Sequence, residues 1–326
     1  MLVISASDIR KVINMRDAIE SDREAFSLQS QGKAQIPLRV VFDVEGRGLS
    51  SFMPAYVSSF PQAGVKIVSI FSGNIAKNLP VVSATVLLID PETGIVNALI
   101  DGTELTRMRT GAISGLATEL LSNESSETGA LFGTGGQALS QLEAMLTARK
   151  LLEVRIYDTF HERIGHFIER ASETAHVFGA RLKAAGSPDE AVDGADVITT
   201  VTTTANPVFD GRRVKKGAHV NGVGTYEPHK RELDESMILR ADRIFVDNME
   251  AIMAEAGDIL IPMKEGKFKK EDITGELGDL ILGNAPGRTS EDQITVMKSV
   301  GFATLDLVIA RKIFDKAVEM GIGTNL

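Results

Sequence analysis

Three small residues and one acid have the types and spacing of a dinucleotide-binding turn. Gly133, Gly135 and Ala138 follow the short apolar segment ALF and begin a predicted helix. At such a turn the first glycine allows a tight bend, the second lets the backbone approach a pyrophosphate, and the small third residue lets helix and strand pack closely. Asp158 ends the next predicted strand, about 20 residues further on, where an acid accepts hydrogen bonds from the adenosine ribose. These residues predict a nucleotide site that favours NAD(H), and the nearby Arg163 leaves NADP(H) as an alternative.

Three cations interrupt apolar segments in the first third of the chain. Arg39 lies in QIPLRVVF, Lys66 in GVKIVSIF and Arg109 in ELTRMRTGAIS, where it has helical spacing. A charge that faces a protein core is costly unless it is paired, and a substrate carboxylate would pair it. The alternative is that each cation faces solvent or belongs to a structural ion pair. A nicotinamide enzyme needs such groups, because the substrate carbon must be held against the hydride donor.

The elements around these cations form an N-terminal part in which a helix precedes strands. Ser7 and Asp8 are predicted to cap a helix that runs to about Gln31, since its apolar residues have roughly helical spacing. A second helix is predicted over Glu104–Leu121 and a polar linker over Ser122–Gly129. The strands between the helices are predicted at Leu38–Asp43, Ser50–Tyr56, Gly64–Phe71, Val81–Ile89 and Ile95–Ile100. Because no helix separates them, they predict an antiparallel sheet.

After the linker, strands and helices alternate, which predicts a parallel sheet with helical crossovers. One helix follows Gly135 and another runs to His176. A last amphipathic helix over Phe302–Met320 could pack back on the N-terminal part. The predicted strands are Ala130–Phe132, Val154–Tyr157, Asp196–Thr200, Ala218–Val223, Arg243–Val246 and Thr295–Val300.

Composition excludes several classes of function. The 326 residues include no Cys and five His, without HExxH or HxxEH, so disulfides and thiolate nucleophiles are excluded and no metal site is predicted. A net charge of -9 disfavours binding to phosphate backbones, so no nucleic-acid partner is expected. No apolar run approaches the roughly 20 residues that span a bilayer, and the first residues lack a secretory pattern. We therefore expect a cytoplasmic protein without a membrane partner.

Eight segments, in the same order and over nearly the whole chain, resemble the ornithine cyclodeaminase/mu-crystallin family. They are QIPLRV, FMPAY, GVKIVSIF, LTRMRTGAISGLA, GTGGQA, ADVITTVTTT, HVNGVGTYEPHKRELD and MKSVGFATLD. The resemblance implies an α/β fold with a Rossmann-type parallel-sheet domain, residues 122–302. This domain is inserted into a mixed α+β substrate-binding and dimerisation domain, residues 1–121 and 303–326. The resemblance also implies a homodimer.

Site residues are implied by the same resemblance. Arg39, Lys66 and Arg109 hold the substrate carboxylate, with Lys66 next to the reacting carbon, and Val300 also contacts the substrate. The segment from Val220 to Val223 is expected to be a loop. The residues implied to bind the cofactor are Arg109, Gly133, Gly135, Gly136, Gln137, Ala138, Asp158, Thr202, Val220, Asn221, Gly222, Val223, Lys230 and Ser299. The alternative to cofactor binding is that Thr202 is only a strand residue, Lys230 only a surface charge and Ser299 only a turn residue.

Two departures from the family pattern disfavour ornithine as the substrate. Ornithine cyclodeaminases and archaeal alanine dehydrogenases resembling this chain carry an acid two residues after the glycine of the VG segment, but Gly224 is followed here by Thr225 and Tyr226. Cyclodeaminases also carry a Glu where this chain has Ser51. The loss of both carboxylates leaves the distal ammonium of ornithine without partners that would contribute roughly 1.5 to 3 kcal/mol per charged hydrogen bond.

The GxYxP arrangement of Gly224, Tyr226 and Pro228 resembles the ketimine-reducing branch of the family. This branch implies hydride transfer from NAD(P)H to 1-pyrroline-2-carboxylate or 1-piperideine-2-carboxylate, giving L-proline or L-pipecolate. A protonated C=N bond accepts hydride readily, so the site need only hold the carboxylate and the imine. Lys66 is then the orienting cation and a candidate acid, and Tyr226 is a pocket wall or proton relay unless it only packs.

Two alternatives remain beside the ketimine reductase. One is ornithine cyclodeaminase or alanine dehydrogenase activity on the same scaffold. The other is a non-catalytic protein that binds NAD(P)H, as crystallin relatives do. The three cations argue against the second, since a nucleotide-binding protein has no need of a carboxylate clamp.

Overall fold

The computed structural model describes residues 1–37 and 39–326, which form two units, each with its own sheet. One unit comprises Met1–Arg109 and Phe302–Leu326, and the other comprises Thr110–Gly301. The division falls inside a helix, Gly102–Leu121, whereas the division expected from the sequence falls at the end of that helix.

The bounds of the elements are as follows. The strands are β1 (Leu2–Ile4), β2 (Ala34–Gln35), β3 (Val40–Asp43), β4 (Leu49–Val57), β5 (Gln62–Ile70), β6 (Val82–Ile89), β7 (Val96–Asp101), β8 (Thr128–Phe132), β9 (Glu153–Tyr157), β10 (Arg181–Ala184), β11 (Val197–Thr200), β12 (His219–Gly222), β13 (Arg243–Val246), β14 (Gly275–Glu276), β15 (Thr295–Lys298) and β16 (Thr324–Asn325). The α-helices are α1 (Ala6–Val12), α2 (Met15–Ser30), α3 (Gly102–Leu121), α4 (Ala138–Ala148), α5 (His161–Val177), α6 (Pro188–Val192), α7 (Glu235–Arg240), α8 (Met249–Glu255), α9 (Gly257–Lys264), α10 (Leu277–Ile281) and α11 (Ala303–Met320). Short 3-10 helices lie at Ser72–Lys77, Gly211–Arg213 and Lys270–Asp272.

The sheet of the first unit has the strand order β16-β1-β7-β6-β5-β4-β2, and β3 also pairs with β4. Strands β4 to β7 are antiparallel neighbours, as predicted, but β1 adds a parallel pairing to β7. Each of the predicted strands is found to within about two residues, which is the usual uncertainty of a strand end. Leu38, the first residue of one predicted strand, lies outside the described residues, and that strand is observed as β3.

The N-terminal helix predicted as one element is two helices, so the prediction of a single helix capped by Ser7 and Asp8 was wrong. Ser5 precedes α1 and Asn14 precedes α2, and each side chain accepts a hydrogen bond from a backbone N–H three residues later, at Asp8 and Asp17. Each Asp carboxylate in turn accepts from the N–H of the capping residue. Such reciprocal capping satisfies donors that a helix start leaves unpaired, and it stops α1 and restarts the chain as α2.

Helix α11 packs on the buried face of β4, β5 and β6 and against α2, so the last helix returns to the N-terminal part as the sequence indicated. Gln62, Gly64 and Lys66 alternate on the buried face of β5. A Cβ atom on Gly64 would lie 2.8 Å from Leu307 Cδ1 on α11. The missing side chain therefore lets the helix come close to the strand that carries Lys66.

The second unit contains a sheet of parallel strands in the order β10-β9-β8-β11-β12-β15-β13-β14. The predicted parallel sheet is thus confirmed, and β10 and β14 are strands that the sequence did not indicate. Ile198, Val220 and Val296 of the central strands are fully buried, because helices and loops cover both faces of a parallel sheet.

Residues 122–127 form a fixed turn instead of the predicted polar linker, and β8 begins within the predicted linker at Thr128. Ser122 and Ser126 are buried. The guanidinium of Arg149 donates hydrogen bonds to the carbonyl oxygens of Glu119, Ser122 and Asn123. These bonds pair carbonyls that the end of α3 would otherwise leave unsatisfied.

Candidate functional site

The ends of five parallel strands place most of the predicted cofactor residues along one edge of the sheet. Phe132 at the end of β8 is level with Tyr157 of β9 and Thr200 of β11. Thr200 is level with Gly222 of β12, which is level with Lys298 of β15. Ligands of open α/β sheets bind at this carboxyl edge. The predicted residues that directly follow these strand ends are Gly133, Asp158, Val223 and Ser299, and Thr202 lies two residues past the end of β11.

The glycine turn has the backbone and the open space that a pyrophosphate requires. Gly133 has a φ of 102°, in the left-handed region that favours glycine. A Cβ atom on Gly135 or Gly136 would meet no atom within 4 Å. Ala138 is fully buried at the start of α4, and the side-chain oxygen of Gln137 is buried without a hydrogen-bond partner among the described residues. These residues fit a dinucleotide whose phosphates face the N-terminus of α4.

Asp158 is fixed by the turn itself. Its Oδ2 accepts hydrogen bonds from Thr134 N at 2.9 Å and Thr134 Oγ1 at 2.7 Å, and its Oδ1 accepts one from Phe160 N at 2.9 Å. The guanidinium of Arg163 lies 4.1 Å above the Phe160 ring. The protein therefore orients this carboxylate. The contact with Thr134 was not anticipated from the sequence.

Glu232 joins two of the loops at the carboxyl edge, and the sequence reasoning missed it. Its Oε1 accepts from Thr202 N at 2.6 Å and Thr202 Oγ1 at 2.8 Å, and its Oε2 accepts from Gly224 N at 2.6 Å. Burial raises the pKa of this carboxyl group despite the nearby Lys298. Thr202 lies beyond the end of β11, so it is not the strand residue of the alternative interpretation.

Asp247 is a second acid that holds a predicted site loop. Its Oδ2 accepts hydrogen bonds from Ser299 Oγ at 2.7 Å, Val300 N at 2.8 Å and Gly301 N at 2.6 Å. Asp247 is 1% exposed. The acid follows β13 and the loop follows its neighbour β15, which is why residues so far apart in the chain meet.

The strand predicted at Ala218–Val223 is observed as β12, so the loop that the family resemblance implied from Val220 to Val223 is wrong for three of its four residues. Val220, Asn221 and Gly222 belong to β12, which lies between β11 and β15 and is therefore covered on both faces. The Asn221 side chain is buried and bonds to His219 and Thr118. Val223 follows the strand end, and the cofactor contacts predicted for Val220, Asn221 and Gly222 stay predictions.

Two further predicted residues lie after β12. The ammonium of Lys230 is 2.5 Å from Glu227 Oε1, so Lys230 takes part in an ion pair. Tyr226 is 45% exposed. The role predicted for Tyr226 from the sequence stays a prediction.

In the first unit, Lys66 and Arg109 meet at a buried acid that the sequence reasoning did not identify. Lys66 Nζ is 2.5 Å from Asp306 Oδ2, and Arg109 Nε is 3.0 Å from Asp306 Oδ1. Lys66, Arg109 and Asp306 are 3%, 7% and 2% exposed. The chain therefore supplies one carboxylate of its own to Lys66 and Arg109, which is the ion pair that the sequence left open as an alternative.

The charges around Asp306 still leave an excess of positive charge. Burial lowers the pKa of Lys66 to about 8, although Asp306 opposes the change, and the charges of Arg109 and Arg39 lower it further. Asp22 lies nearby, fully buried, with neither carboxyl oxygen hydrogen-bonded to any described residue. Burial raises the pKa of Asp22 well above its usual value, which favours the neutral acid. Lys66 and Arg109 thus share the single carboxylate of Asp306.

Two other kinds of feature are absent from residues 1–37 and 39–326. No group of three or more acidic or His side chains is placed to hold a metal ion. No helix in these ranges has both the length and the apolar character needed to cross a membrane.

Comparison with known proteins identifies the family. The model of the ornithine cyclodeaminase/mu-crystallin family matches residues 1–321. A Delta(1)-pyrroline-2-carboxylate reductase of Bacillus cereus is 35% identical over 327 residues, which cover 100% of this chain and 99% of that protein. The solved structure of the Thermococcus litoralis Delta(1)-pyrroline-2-carboxylate reductase in complex with NADH and L-proline has a TM-score of 0.94 at 38% identity, with 100% of both chains covered. An archaeal alanine dehydrogenase dimer with bound NAD has a TM-score of 0.91 at 32% identity, covering 100% of this chain and 98% of that one. The predicted α/β fold class and the family resemblance are both confirmed, and the chain belongs to the ornithine cyclodeaminase/mu-crystallin family.

Proposed function

We propose that the chain is an NADH-dependent reductase that converts a cyclic ketimine acid, 1-pyrroline-2-carboxylate or 1-piperideine-2-carboxylate, to L-proline or L-pipecolate. The observation that carries the proposal is the pair of buried cations, Lys66 and Arg109, that share the carboxylate of Asp306, since an anionic ligand would balance their excess charge. Relatives at 35% and 38% identity are Delta(1)-pyrroline-2-carboxylate reductases, one of them solved with NADH and L-proline. They support a ring that bears a carboxylate next to its nitrogen.

The residues of the first unit bind and orient this substrate. Arg39 and Arg109 hold the carboxylate, and Lys66 places its ammonium beside the carboxylate and the imine. With a pKa of about 8, Lys66 is mostly protonated at neutral pH and can also give a proton to the ring nitrogen. Bound NADH supplies the hydride that forms the new C–H bond at the imine carbon, which leaves NAD⁺ and the amino acid.

The residues of the second unit bind the cofactor. The turn at Gly133, Gly135 and Gly136 takes the pyrophosphate, and Asp158 accepts from the ribose hydroxyls. The negative charge of Asp158 would repel a 2′-phosphate, so NADH is the preferred form and NADPH the weaker one. The remaining cofactor contacts that we propose at the carboxyl edge are Thr202, Val223, Lys230 and Ser299, with Val300 and Tyr226 on the substrate side.

A second candidate is the oxidative deamination of alanine, favoured by the 32% identity to the archaeal alanine dehydrogenase. Both reactions need the same carboxylate clamp and the same cofactor. They differ in the group that handles protons at the carbon-nitrogen bond, and Thr225 and Tyr226 stand where related dehydrogenases carry an acid. This difference makes the reductase the first choice.

The test is to follow NADH and NADPH oxidation with each cyclic imine, for the wild type and for Lys66→Met. We expect turnover with the imines and a loss of about 10²- to 10⁴-fold in kcat/KM in the variant. The control is Lys77→Met, which changes an exposed lysine of the same unit and should leave kcat/KM unchanged. Undiminished turnover in Lys66→Met would contradict the role of this lysine.

Other outcomes identify the alternatives. NAD-dependent formation of pyruvate and ammonia from alanine, without imine reduction, would favour alanine dehydrogenase. Formation of proline and ammonia from ornithine would favour a cyclodeaminase. Tight NADH binding without turnover of any of these compounds would favour a binding protein.

We also propose a homodimer that forms through β3. Val40, Val41 and Phe42 of β3 are 51%, 47% and 56% exposed, so the strand presents apolar side chains on both of its faces. A second copy of the chain is the proposed partner, supported by the related alanine dehydrogenase dimer. Light scattering should give twice the chain mass for the wild type and the single mass for Val41→Asp. The control Val177→Asp changes an apolar side chain that is 74% exposed in the other unit and should remain dimeric.

The cytoplasm is the proposed location, because the reaction consumes NADH. A tagged chain expressed at its natural level should be recovered with cytoplasmic enzymes after cell fractionation. Recovery with the membrane fraction would contradict the proposal.

A further inference from the structure

Asp306 connects three elements of the first unit at one buried point. It lies in the first turn of α11 and accepts from Lys66 on β5 and from Arg109 on α3. The N-terminal end of a helix favours a negative charge. The position of this carboxylate therefore favours its ionised form as well as its two contacts.

The contact geometry leaves both cations with unused donors. An ammonium group has three N–H donors and a guanidinium has five. Arg109 uses its Nε atom for Asp306, so the outer end of the guanidinium, with Nη1 and Nη2, is not part of this contact. Asp306 can thus hold both cations while each still donates to a substrate carboxylate.

The electrostatic balance also depends on Asp306. Burial lowers the pKa of Lys66, and the positive charges of Arg109 and Arg39 lower it further. Asp306 is the group that raises it. Burial would raise the pKa of Asp306 itself, but Arg109 and Lys66 hold it below its usual value. The charges of Arg109 and Asp306 act on Asp22 of α2, and burial raises the pKa of Asp22, which favours its neutral form.

We propose that Asp306 is a positioning residue that fixes the Lys66 ammonium and the Arg109 guanidinium for the substrate carboxylate and keeps the Lys66 ammonium charged. This inference rests on the proposed function of the site. It assigns Asp306 a part in binding that differs from that of a structural ion pair, because the loss of a purely structural pair would lower stability without changing substrate affinity in the folded protein.

The test compares wild type and Asp306→Asn by calorimetric titration of L-proline, with NADH present, between about pH 6 and pH 9.5. In the wild type, affinity should fall as pH rises through about 8, where Lys66 loses its proton. In Asp306→Asn this fall should move to lower pH by about one to three units, since an opposite charge shifts a pKa by that amount. The control is Asp315→Asn on the same helix, which changes an acid paired with Arg311 at the surface and should leave the pH dependence unmoved.

A ligand-free measurement separates this inference from the proposed function. The NMR signal of the Lys66 side chain in ¹³C-lysine-labelled protein, assigned by its loss in Lys66→Met, reports the same titration without substrate or cofactor. A titration at lower pH in folded Asp306→Asn supports the role of Asp306 even if no imine is reduced. An unmoved titration in the folded variant overturns it, whatever the activity.

Asp306→Glu decides the matter if Asp306→Asn does not fold. It keeps the charge but moves it by one methylene group. Positioning is supported if Lys66 still titrates as in the wild type while KM for the imine rises about tenfold or more, which corresponds to a binding loss of roughly 1.4 kcal/mol. An unchanged KM overturns it.

Discussion

Two glycines of the dinucleotide turn should respond to the same substitution in opposite ways. Gly133 has a φ of 102°, and a Cβ atom there would lie 2.8 Å from the carbonyl oxygen of Val201. Gly135 is exposed, and its Cβ atom would meet nothing within 4 Å. Gly133→Ala therefore disturbs the protein itself, whereas Gly135→Ala places a methyl group in the space proposed for the pyrophosphate.

The magnitudes follow from these two environments. Left-handed backbone costs a residue with a side chain about 1 to 2 kcal/mol, and the contact with Val201 adds to it, so Gly133→Ala should lower the free energy of unfolding by about 2 kcal/mol or more. Gly135→Ala should change it by less than about 1 kcal/mol. A lost hydrogen bond to a charged phosphate is worth about 1.5 to 3 kcal/mol, so Gly135→Ala should weaken NADH binding about 10- to 100-fold.

Urea unfolding of the cofactor-free protein and a fluorescence titration with NADH measure the two effects separately. Gly165→Ala is the matched control, because Gly165 lies in helix α5 with open space around it. It should raise the free energy of unfolding by about 0.5 to 1 kcal/mol and leave NADH binding unchanged. Wild-type NADH affinity in Gly135→Ala would refute the placement of the pyrophosphate, and wild-type stability in Gly133→Ala would refute the strain argument.

Three buried charges give further predictions. Burial raises the pKa of Asp22 above 3.8, so folding takes up a proton and the free energy of unfolding falls as pH rises above that value. Asp22→Asn should remove this fall and add about 1 to 3 kcal/mol to the free energy of unfolding near neutral pH. Urea unfolding at several pH values measures both effects. Asp247→Asn weakens three hydrogen bonds to the loop at residues 299–301 and should raise KM for the imine about tenfold while the protein stays folded; an unchanged KM would contradict its role. Lys298→Met leaves Asp258 buried without its cation and should cost about 3 to 5 kcal/mol in urea unfolding, and a smaller loss would show that the pair is dispensable.

Much of the fold could be predicted because its signals are local. In the strands of both sheets, apolar residues either alternate with polar ones or form short runs, and Gly, Pro and Asn mark the strand ends. The glycine turn lies directly between a strand and a helix. The error at the N-terminus was also local: Ser5 and Asn14 each precede an Asp by three residues, which is the pattern of a capped helix start. The helical periodicity that continues from α1 into α2 concealed this second start.

The acids that organise the candidate site could not be placed in the same way. Asp306 and Lys66 are 240 residues apart in the chain, and no local pattern shows which strand faces α11. A weaker signal was present, since Asp306 is the one acid in the apolar run FATLDLVIA, and a charge on a buried helix face needs a partner. Glu232 and Asp247 bind loops that follow neighbouring strands, so their roles depend on the order of strands in the sheet.

Two buried lysines differ in how completely their ammonium groups are paired. Lys298 donates to Asp258, to the Thr225 carbonyl and to the Thr225 hydroxyl, which uses the three donors of an ammonium group.

Among the described residues, Lys66 donates a hydrogen bond to Asp306 only, although it is nearly as buried. Arg109 and Arg39 add positive charge around it, whereas Glu232 adds an acid near Lys298. Burial of an incompletely paired cation is unfavourable in the free protein, and a carboxylate ligand would relieve this cost. Unused donors and unbalanced charge, more than burial, are therefore the reasons for proposing Lys66 as the lysine that binds a substrate.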